Sequence, residues 1–171
     1  MWKFKEDNTS AVITAVKHIQ SNRKKGGTVL PETAILFYMH SGVDYLKKHY
    51  RSQLITDSFP SFLHSRAIYK LKKYDICFLH GGWGAPMAVD TLETLNALGV
   101  KNVVSVGMFG AFSEKISSGA ILVPNKAFSE EGTSLHYYEK REDFYPNDEL
   151  HGKALKHIEN SVSFPIVSTD A

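Results

Sequence analysis

Between Ile76 and Ala111 the chain twice runs a short apolar strand into a glycine loop, and this duplication restricts its fold more than any other feature. Ile76 to Leu79 feeds Gly81-Gly82-Trp83-Gly84-Ala85-Pro86, and Val103 to Val106 feeds Gly107-Met108-Phe109-Gly110-Ala111. The connecting segment carries Val89, Leu92, Leu95 and Leu98 at helical spacing. Pro86 suits its first turn, and Leu98-Gly99-Val100 is a C-terminal cap signal. Strand, helix and strand in that order predict a parallel arrangement, which delivers both loops to the carboxyl edge of the sheet, where ligands bind. Glycines there let the backbone approach a ligand closely, and several amides can converge on an anion or a sugar. The pattern points to a small-molecule site.

The remaining segments extend this architecture. Asn8, Thr9 or Ser10 is placed to cap a first helix with Val12, Ala15, Val16 and Ile19 on one face, ended by Gly26-Gly27. Thr33 to Met39, nearly all apolar, reads as a central strand. His40-Ser41-Gly42 reads as a turn, with Ser41 capping a helix that carries Val43, Leu46 and Tyr50; this corner is a third candidate anion cradle. Arg51 to His64 has weak patterning and reads as loop around Asp57, Ser58, Pro60 and Ser61. Ala67 to Leu71 turns through Lys72-Lys73-Tyr74-Asp75 into Ile76, which predicts a hairpin and one antiparallel strand. Ala120 to Val123 is a further strand, stopped by Pro124. Ser129 to Tyr145 reads as a long polar and aromatic loop, of the kind that is usually functional or mobile. Asn147 then caps a helix with Leu150, Ala154, Leu155 and Ile158 inward, and Phe164 to Val167 starts a last strand. The expected fold is α/β, with a mixed, mostly parallel central sheet flanked by helices. It forms a single domain over 1–171, of which 1–30 is an N-terminal helical extension.

Composition removes several function classes. A net charge of +2 gives no global reason to expect a nucleic acid or an anionic membrane as partner. Arg23-Lys24-Lys25 reads as a solvated helix end. The single cysteine, Cys77, lies in an apolar strand and permits no disulfide within the chain, which suits a reducing, cytoplasmic setting. No apolar run reaches the roughly 18 residues that span a bilayer, and charged Lys3, Lys5, Glu6 and Asp7 stand where a signal peptide needs an apolar core. Gly82-Trp83-Gly84 follows a strand as a dinucleotide loop does, but Met87 holds the place of the third glycine, so no such cofactor is expected. No lysine follows in the manner of a phosphate-binding P-loop. The eight histidines include no close pair at metal-ligand spacing, and no metal is expected. Ser113-Glu114 and Glu130-Glu131 read as solvated loop acids.

Taken in order, Gly82-Trp83-Gly84-Ala85-Pro86, Gly99 to Ala111, Gly119-Ala120-Ile121-Leu122-Val123-Pro124 and Glu131-Gly132-Thr133-Ser134-Leu135-His136-Tyr137 resemble the nucleoside phosphorylase superfamily, especially its uridine and purine phosphorylase branch. The resemblance runs from about Thr33 to Ala171. It implies cleavage of the N-glycosidic bond of a purine or pyrimidine nucleoside, with phosphate attacking the anomeric carbon through an oxocarbenium-like sugar. It also implies a homo-oligomer and no cofactor besides phosphate as co-substrate. The substrate-binding residues it suggests are Ser41, Gly42, Gly82, Trp83, Gly84, Ser105, Gly107, Met108, Phe109, Gly110 and His136.

Three departures qualify that implication. Ser105 stands where the family's phosphorylases carry a phosphate-gripping arginine, and Met108 where they carry serine or threonine. The early phosphate loop, matching Tyr38 to Asp44, normally has another arginine a few residues on, and Val43 to Tyr45 supply none. Each lost charge-assisted contact costs about 1.5–3 kcal/mol, or about 10–100-fold in phosphate binding. A phosphate-independent nucleosidase and a catalytically inactive nucleoside-binding paralogue are therefore the alternatives. Lastly, Ser168 to Ala171 match the point just before the family's base-stacking aromatic residue. Region 31–171 is expected to be an incomplete phosphorylase-like domain, with catalytic residues beyond Ala171 and no turnover by these residues alone.

Overall fold

The computed structural model describes residues 9–22, 28–138 and 143–169. The capping residue Asn8, the basic cluster Arg23-Lys24-Lys25, the Gly26-Gly27 stop and the terminal Asp170-Ala171 lie outside the described residues. The chain divides into two compact units, the first comprising Met1–Trp83 and Met87–Gly107, the second Gly84–Pro86 and Met108–Ala171.

The first unit holds α1 (Ala15–Asn22), β1 (Thr33–Phe37), α2 (His40–His49), β2 (Ser52–Thr56), β3 (Ile68–Leu71), β4 (Ile76–His80), α3 (Ala85–Ala97, except its first two residues, which fall in the second unit) and β5 (Asn102–Val106). Its five strands form one sheet in the order β2-β3-β4-β1-β5. The apolar run of β1 earns it a place between two parallel neighbours, with Ala34 opposite both Cys77 and Val103. β3 pairs antiparallel with β2 and with β4, so it alone runs against the sheet, as the hairpin pattern predicts.

Alternation along the strands divides the core into two layers. Ala34, Leu36, Cys77 and Leu79 face one side and pack with Ile19, Phe59, Leu95, Leu98 and Val100. Phe37, Leu71 and Phe78 face the other and pack with Val43, with Leu46 beside them. Phe78 and Leu36 are fully buried, each worth roughly 2–3 kcal/mol relative to exposure.

Local expectations fail where the backbone finds a different partner. The helix α1 begins at Ala15, not after Asn8 to Ser10, because the Thr14 hydroxyl accepts the Lys17 amide at 3.2 Å and caps the first turn. Val12 therefore lies outside the helix and is exposed, and Ile19 carries the burial. Ser41 does not cap α2. The extended residue Met39 (φ −133°, ψ 143°) holds the cap position with no side-chain hydrogen bond, so His40-Ser41-Gly42 begin the helix itself rather than form the turn before it. Gly42 serves close packing, since a Cβ there would lie 2.1 Å from Cδ1 of Phe37. Residues 52–56, expected as loop, form β2; the ladder to β3 overrides the mixed polarity of Ser-Gln-Leu-Ile-Thr, with a register shift between Leu54 and Thr56.

The second unit holds β6 (Ile121–Leu122), β7 (Lys126–Glu130), a 3-10 turn (Thr133–His136), β8 (Asp143–Phe144), α4 (Asp148–His157), β9 (Ser161–Val162) and β10 (Pro165–Thr169). Its strands form a three-stranded sheet in the order β10-β7-β8 and a separate pair, β6-β9. The Asn147 side chain accepts the Leu150 amide at 3.0 Å and caps α4 as expected. Leu150 and Ala154 are half-buried there, whereas Leu155 and Ile158 stay more exposed.

Candidate functional site

Because β4, β1 and β5 are parallel and adjacent, their carboxyl ends share one edge. The chain leaves β1 towards the β2 side and crosses from β4 to β5 on the other side, which makes this the switch point at which such sheets bind ligands. The edge is tied together by the Tyr38 amide donating to the Val106 carbonyl at 2.8 Å and the Gly81 amide donating to the Phe37 carbonyl at 3.0 Å. Tyr38 lies across both glycine loops. A Cβ at Gly81 would stand 2.5 Å from Cζ of Tyr38, and one at Gly107 would stand 3.4 Å from its Cβ. Burial pushes the Tyr38 hydroxyl above its ordinary pKa, partly offset by its hydrogen bond with the Ser105 side chain, so it remains a neutral phenol.

A buried polar spine supports the first loop. The fully buried Thr91 hydroxyl lies 3.0 Å from the Gly81 carbonyl, 2.8 Å from the Met87 carbonyl and 3.5 Å from Nε2 of His64. His64 Nδ1 is buried and has no hydrogen-bond partner among the described residues. Burial first, and Arg66 second, hold the His64 imidazole below its ordinary pKa, while Asp90 opposes them. Asp90 in turn accepts the Phe62 and Leu63 amides at 3.0 Å each. Gly82 has φ +88°, a left-handed conformation that few side chains adopt, and Met87 closes the space beside it.

On the α2 side of this edge lies a cleft of about 380 Å³ lined by His40, Val43, Asp44, Lys47, Arg66, Ala67, Tyr69, His80 and Trp83. That volume falls in the small-ligand range. Trp83 is 53% exposed, and its ring centroid lies 5.4 Å from that of His40, which is 6.0 Å from that of His80. Nδ1 of His80 sits 3.2 Å from the Phe37 carbonyl, an acceptor, so Nδ1 is the donor of this hydrogen bond. Lys47 Nζ lies 4.8 Å from the Tyr69 ring centroid and 3.9 Å from the Asp44 carboxylate.

The sequence-predicted residues separate by unit. In the first, Trp83 lines the cleft, Gly82 shapes the loop beside it, and Ser105 and Gly107 contact Tyr38. Ser41 is exposed on the first turn of α2, and Gly42 is buried against Phe37. Gly84, Met108, Phe109, Gly110 and His136 belong to the second unit, with Met108 and Phe109 exposed and His136 ending the 3-10 turn.

Within that unit Glu131 is not a solvated loop acid. It is 5% exposed, and its carboxylate accepts from the Thr133 amide at 2.6 Å, the Ser134 amide at 3.0 Å and the Ser129 hydroxyl at 2.9 Å, and also from the Ser134 hydroxyl. Its donors sit within three residues on either side, which turns a polar loop into a preformed anion cage occupied by the chain's own carboxylate.

Sequence reasoning named Tyr38 and His40 only as parts of the early phosphate loop, and it missed His80, Thr91, Lys47 and Arg66. A signal existed for His80, which ends a buried strand at the edge where ligands bind. Among the described residues no group of three or more His, Cys, Asp and Glu could hold a metal, and no helix is long and apolar enough to cross a membrane.

Comparison with known proteins agrees with this fold. The model of the Phosphorylase superfamily matches residues 34–170. A guanosine phosphorylase from Halorubrum lacusprofundi is 34% identical over 101 residues, covering 57% of this chain and 42% of the relative. A crystal structure of uridine phosphorylase from Vibrio fischeri ES114 is similar with a TM-score of 0.69 and 21% identity, covering 84% of this chain and 60% of that one. A 5'-methylthioadenosine/S-adenosylhomocysteine nucleosidase from S. pneumoniae is similar with a TM-score of 0.65 and 15% identity, covering 81% and 64%. The chain thus spans less than half of that curated relative and about three-fifths of the solved ones. With the family model running from β1 through β10 over a switch-point edge of the expected kind, the chain belongs to the phosphorylase superfamily.

Proposed function

We propose that the natural protein carrying this chain cleaves the N-glycosidic bond of a purine or pyrimidine nucleoside. A phosphate oxygen bonds to the anomeric carbon, the C–N bond breaks, and its electron pair leaves with the base, which takes up a proton. The observation that carries this reading is Tyr38, held between Gly81 and Gly107 at three parallel strand ends, beside a cleft walled by Trp83 and two histidines. An apolar aromatic wall and closely approachable backbone suit a sugar joined to a heterocycle. Membership of a family whose relatives are named as phosphorylases and a nucleosidase supports the same chemistry. We extend the proposal to a cytoplasmic homo-oligomer without a cofactor.

Hydrolysis is the second reading, and one observation favours it. The Ser105 hydroxyl is engaged with Tyr38, and Val43 faces the core, so neither substituted position presents a cation to phosphate. The test is a panel of purine and pyrimidine nucleosides incubated with the natural protein, with and without phosphate, followed for free base. Phosphate-dependent release with a pentose 1-phosphate product supports phosphorolysis, and phosphate-independent release with free pentose supports hydrolysis. No release from any nucleoside overturns both, and calorimetric binding would then identify a non-catalytic nucleoside-binding protein.

A further inference from the structure

We propose that the cleft between α2 and the start of β3 is a subsite for a phosphate dianion, held by Arg66 and Lys47 and flanked by the rings of Trp83 and Tyr69. The inference rests on reading the cleft as part of the nucleoside site.

Arg66 is the central observation. It is half-buried, lines the cleft, and among the described residues its guanidinium has no carboxylate partner. A guanidinium taken partly out of water without a counter-ion loses hydration and regains nothing, whereas a phosphate offers its planar fork two oxygens. Lys47 supplies the second cation from the opposite wall, on α2. Its partner Asp44 is a weak competitor at 3.9 Å, with a side chain 81% exposed.

The helix end adds to the same field. Met39 caps α2 without a side-chain hydrogen bond, and the first turn contains no acidic residue to repel an anion next to His40. His40 and His80 also line the cleft. Asp44 is the one carboxylate among the lining residues, set against two permanent cations. The exposed Trp83 ring and the Tyr69 ring give the neighbouring surface planar apolar faces, so the ligand is either inorganic phosphate or a phosphate carried by a nucleoside.

Calorimetric titration of the folded protein with inorganic phosphate, and separately with purine and pyrimidine nucleoside 5'-monophosphates, tests this. Arg66→Gln is expected to weaken binding by about 10–100-fold and Lys47→Gln by several-fold. Asp44→Asn is expected to tighten binding, a change of sign that a merely structural role would not produce. Trp83→Leu separates the sources, weakening monophosphate binding while leaving inorganic phosphate unchanged. Circular dichroism checks that each variant folds. Unchanged affinity in Arg66→Gln and Lys47→Gln, or no binding of either ligand class by the unaltered protein, overturns the subsite. Phosphate-independent base release together with no anion binding would keep the glycosidic reading and reject this one. Anion binding without base release from any nucleoside would do the reverse.

Discussion

Replacing Glu131 with glutamine should loosen the 3-10 turn at Thr133–His136 far more than an exposed loop substitution would. The Ser134 hydroxyl first, then the Ser129 hydroxyl and the Ser134 and Thr133 amides, hold this carboxyl at about 2, against burial and an ordinary value of 4.5. At about 1.4 kcal/mol for each pH unit, the difference corresponds to roughly 3 kcal/mol of preference for the folded arrangement. Glutamine keeps one acceptor oxygen, but its amide points two donors at a cage made of donors. Because the folded value is depressed, the stabilisation is fully present above pH 4.5 and is lost as pH falls through about 2. Amide hydrogen exchange at Thr133 and Ser134 reads this locally. Glu131→Gln should speed their exchange by roughly a hundredfold at neutral pH, after correction for intrinsic rates. In the unaltered protein the protection should decline between pH 4.5 and about 2, a decline the variant lacks. Equal protection in the two proteins, or an identical acid decline, would show that the carboxylate does not organise the turn.

Three further outcomes follow from contacts in the first unit. Gly42→Ala places a methyl 2.1 Å from Cδ1 of Phe37, and the overpacking should cost about 1–3 kcal/mol in urea unfolding, partly recovered in a double variant with Phe37→Leu. Thr91→Val removes the buried hydroxyl 3.0 Å from the Gly81 carbonyl and should cost about 1–3 kcal/mol while weakening any ligand bound against the Gly81 loop; unchanged stability and affinity would dismiss the spine. Cys77 is fully buried, and burial pushes its thiol up to about 11, so a thiol reagent at neutral pH should modify it at the rate of unfolding rather than at the rate of an exposed cysteine.

Elements whose burial is dictated by their own side chains were readable from sequence. β1 and β4 are apolar along their length and occupy adjacent positions in the sheet, and the hairpin into β4 supplies the antiparallel strand. The α4 cap was equally plain, because asparagine at a helix start has a local partner. By contrast, β2 is polar enough to look like loop and exists because β3 offers it a ladder, information that Ser52–Thr56 do not contain. Ser41 misled for a related reason. Hydroxyl capping is a local rule, but the helix position is set by Gly42 settling onto Phe37 in the core. Glu131 failed in the other direction, since its cage is local and the relevant signal was the spacing of Ser129, Thr133 and Ser134 around it. The candidate edge was legible as parallel strand ends that run into glycines. Its charged lining was not, because Lys47 and Arg66 meet only after α2 and β3 are placed around β4.

Strand order also constrains what an anion at Arg66 would do. Ser105 lies on β5 and Arg66 just before β3, and the intervening order is β3-β4-β1-β5. At about 4.8 Å per strand, these positions are separated by roughly 14 Å across the sheet. A nucleophilic oxygen has to lie within about 3–3.5 Å of the carbon it attacks. A phosphate seated on Arg66 therefore does not attack a sugar that sits over Ser105 and Gly107, whereas a phosphate attached to the far end of the ligand spans such a gap without strain. On this geometry nucleoside monophosphates should bind more tightly than inorganic phosphate, and the advantage should disappear in Arg66→Gln. If instead inorganic phosphate binds equally well and accelerates base release, the sugar must lie on the Trp83 side of the edge, and the nucleophile would belong to the α2 cleft.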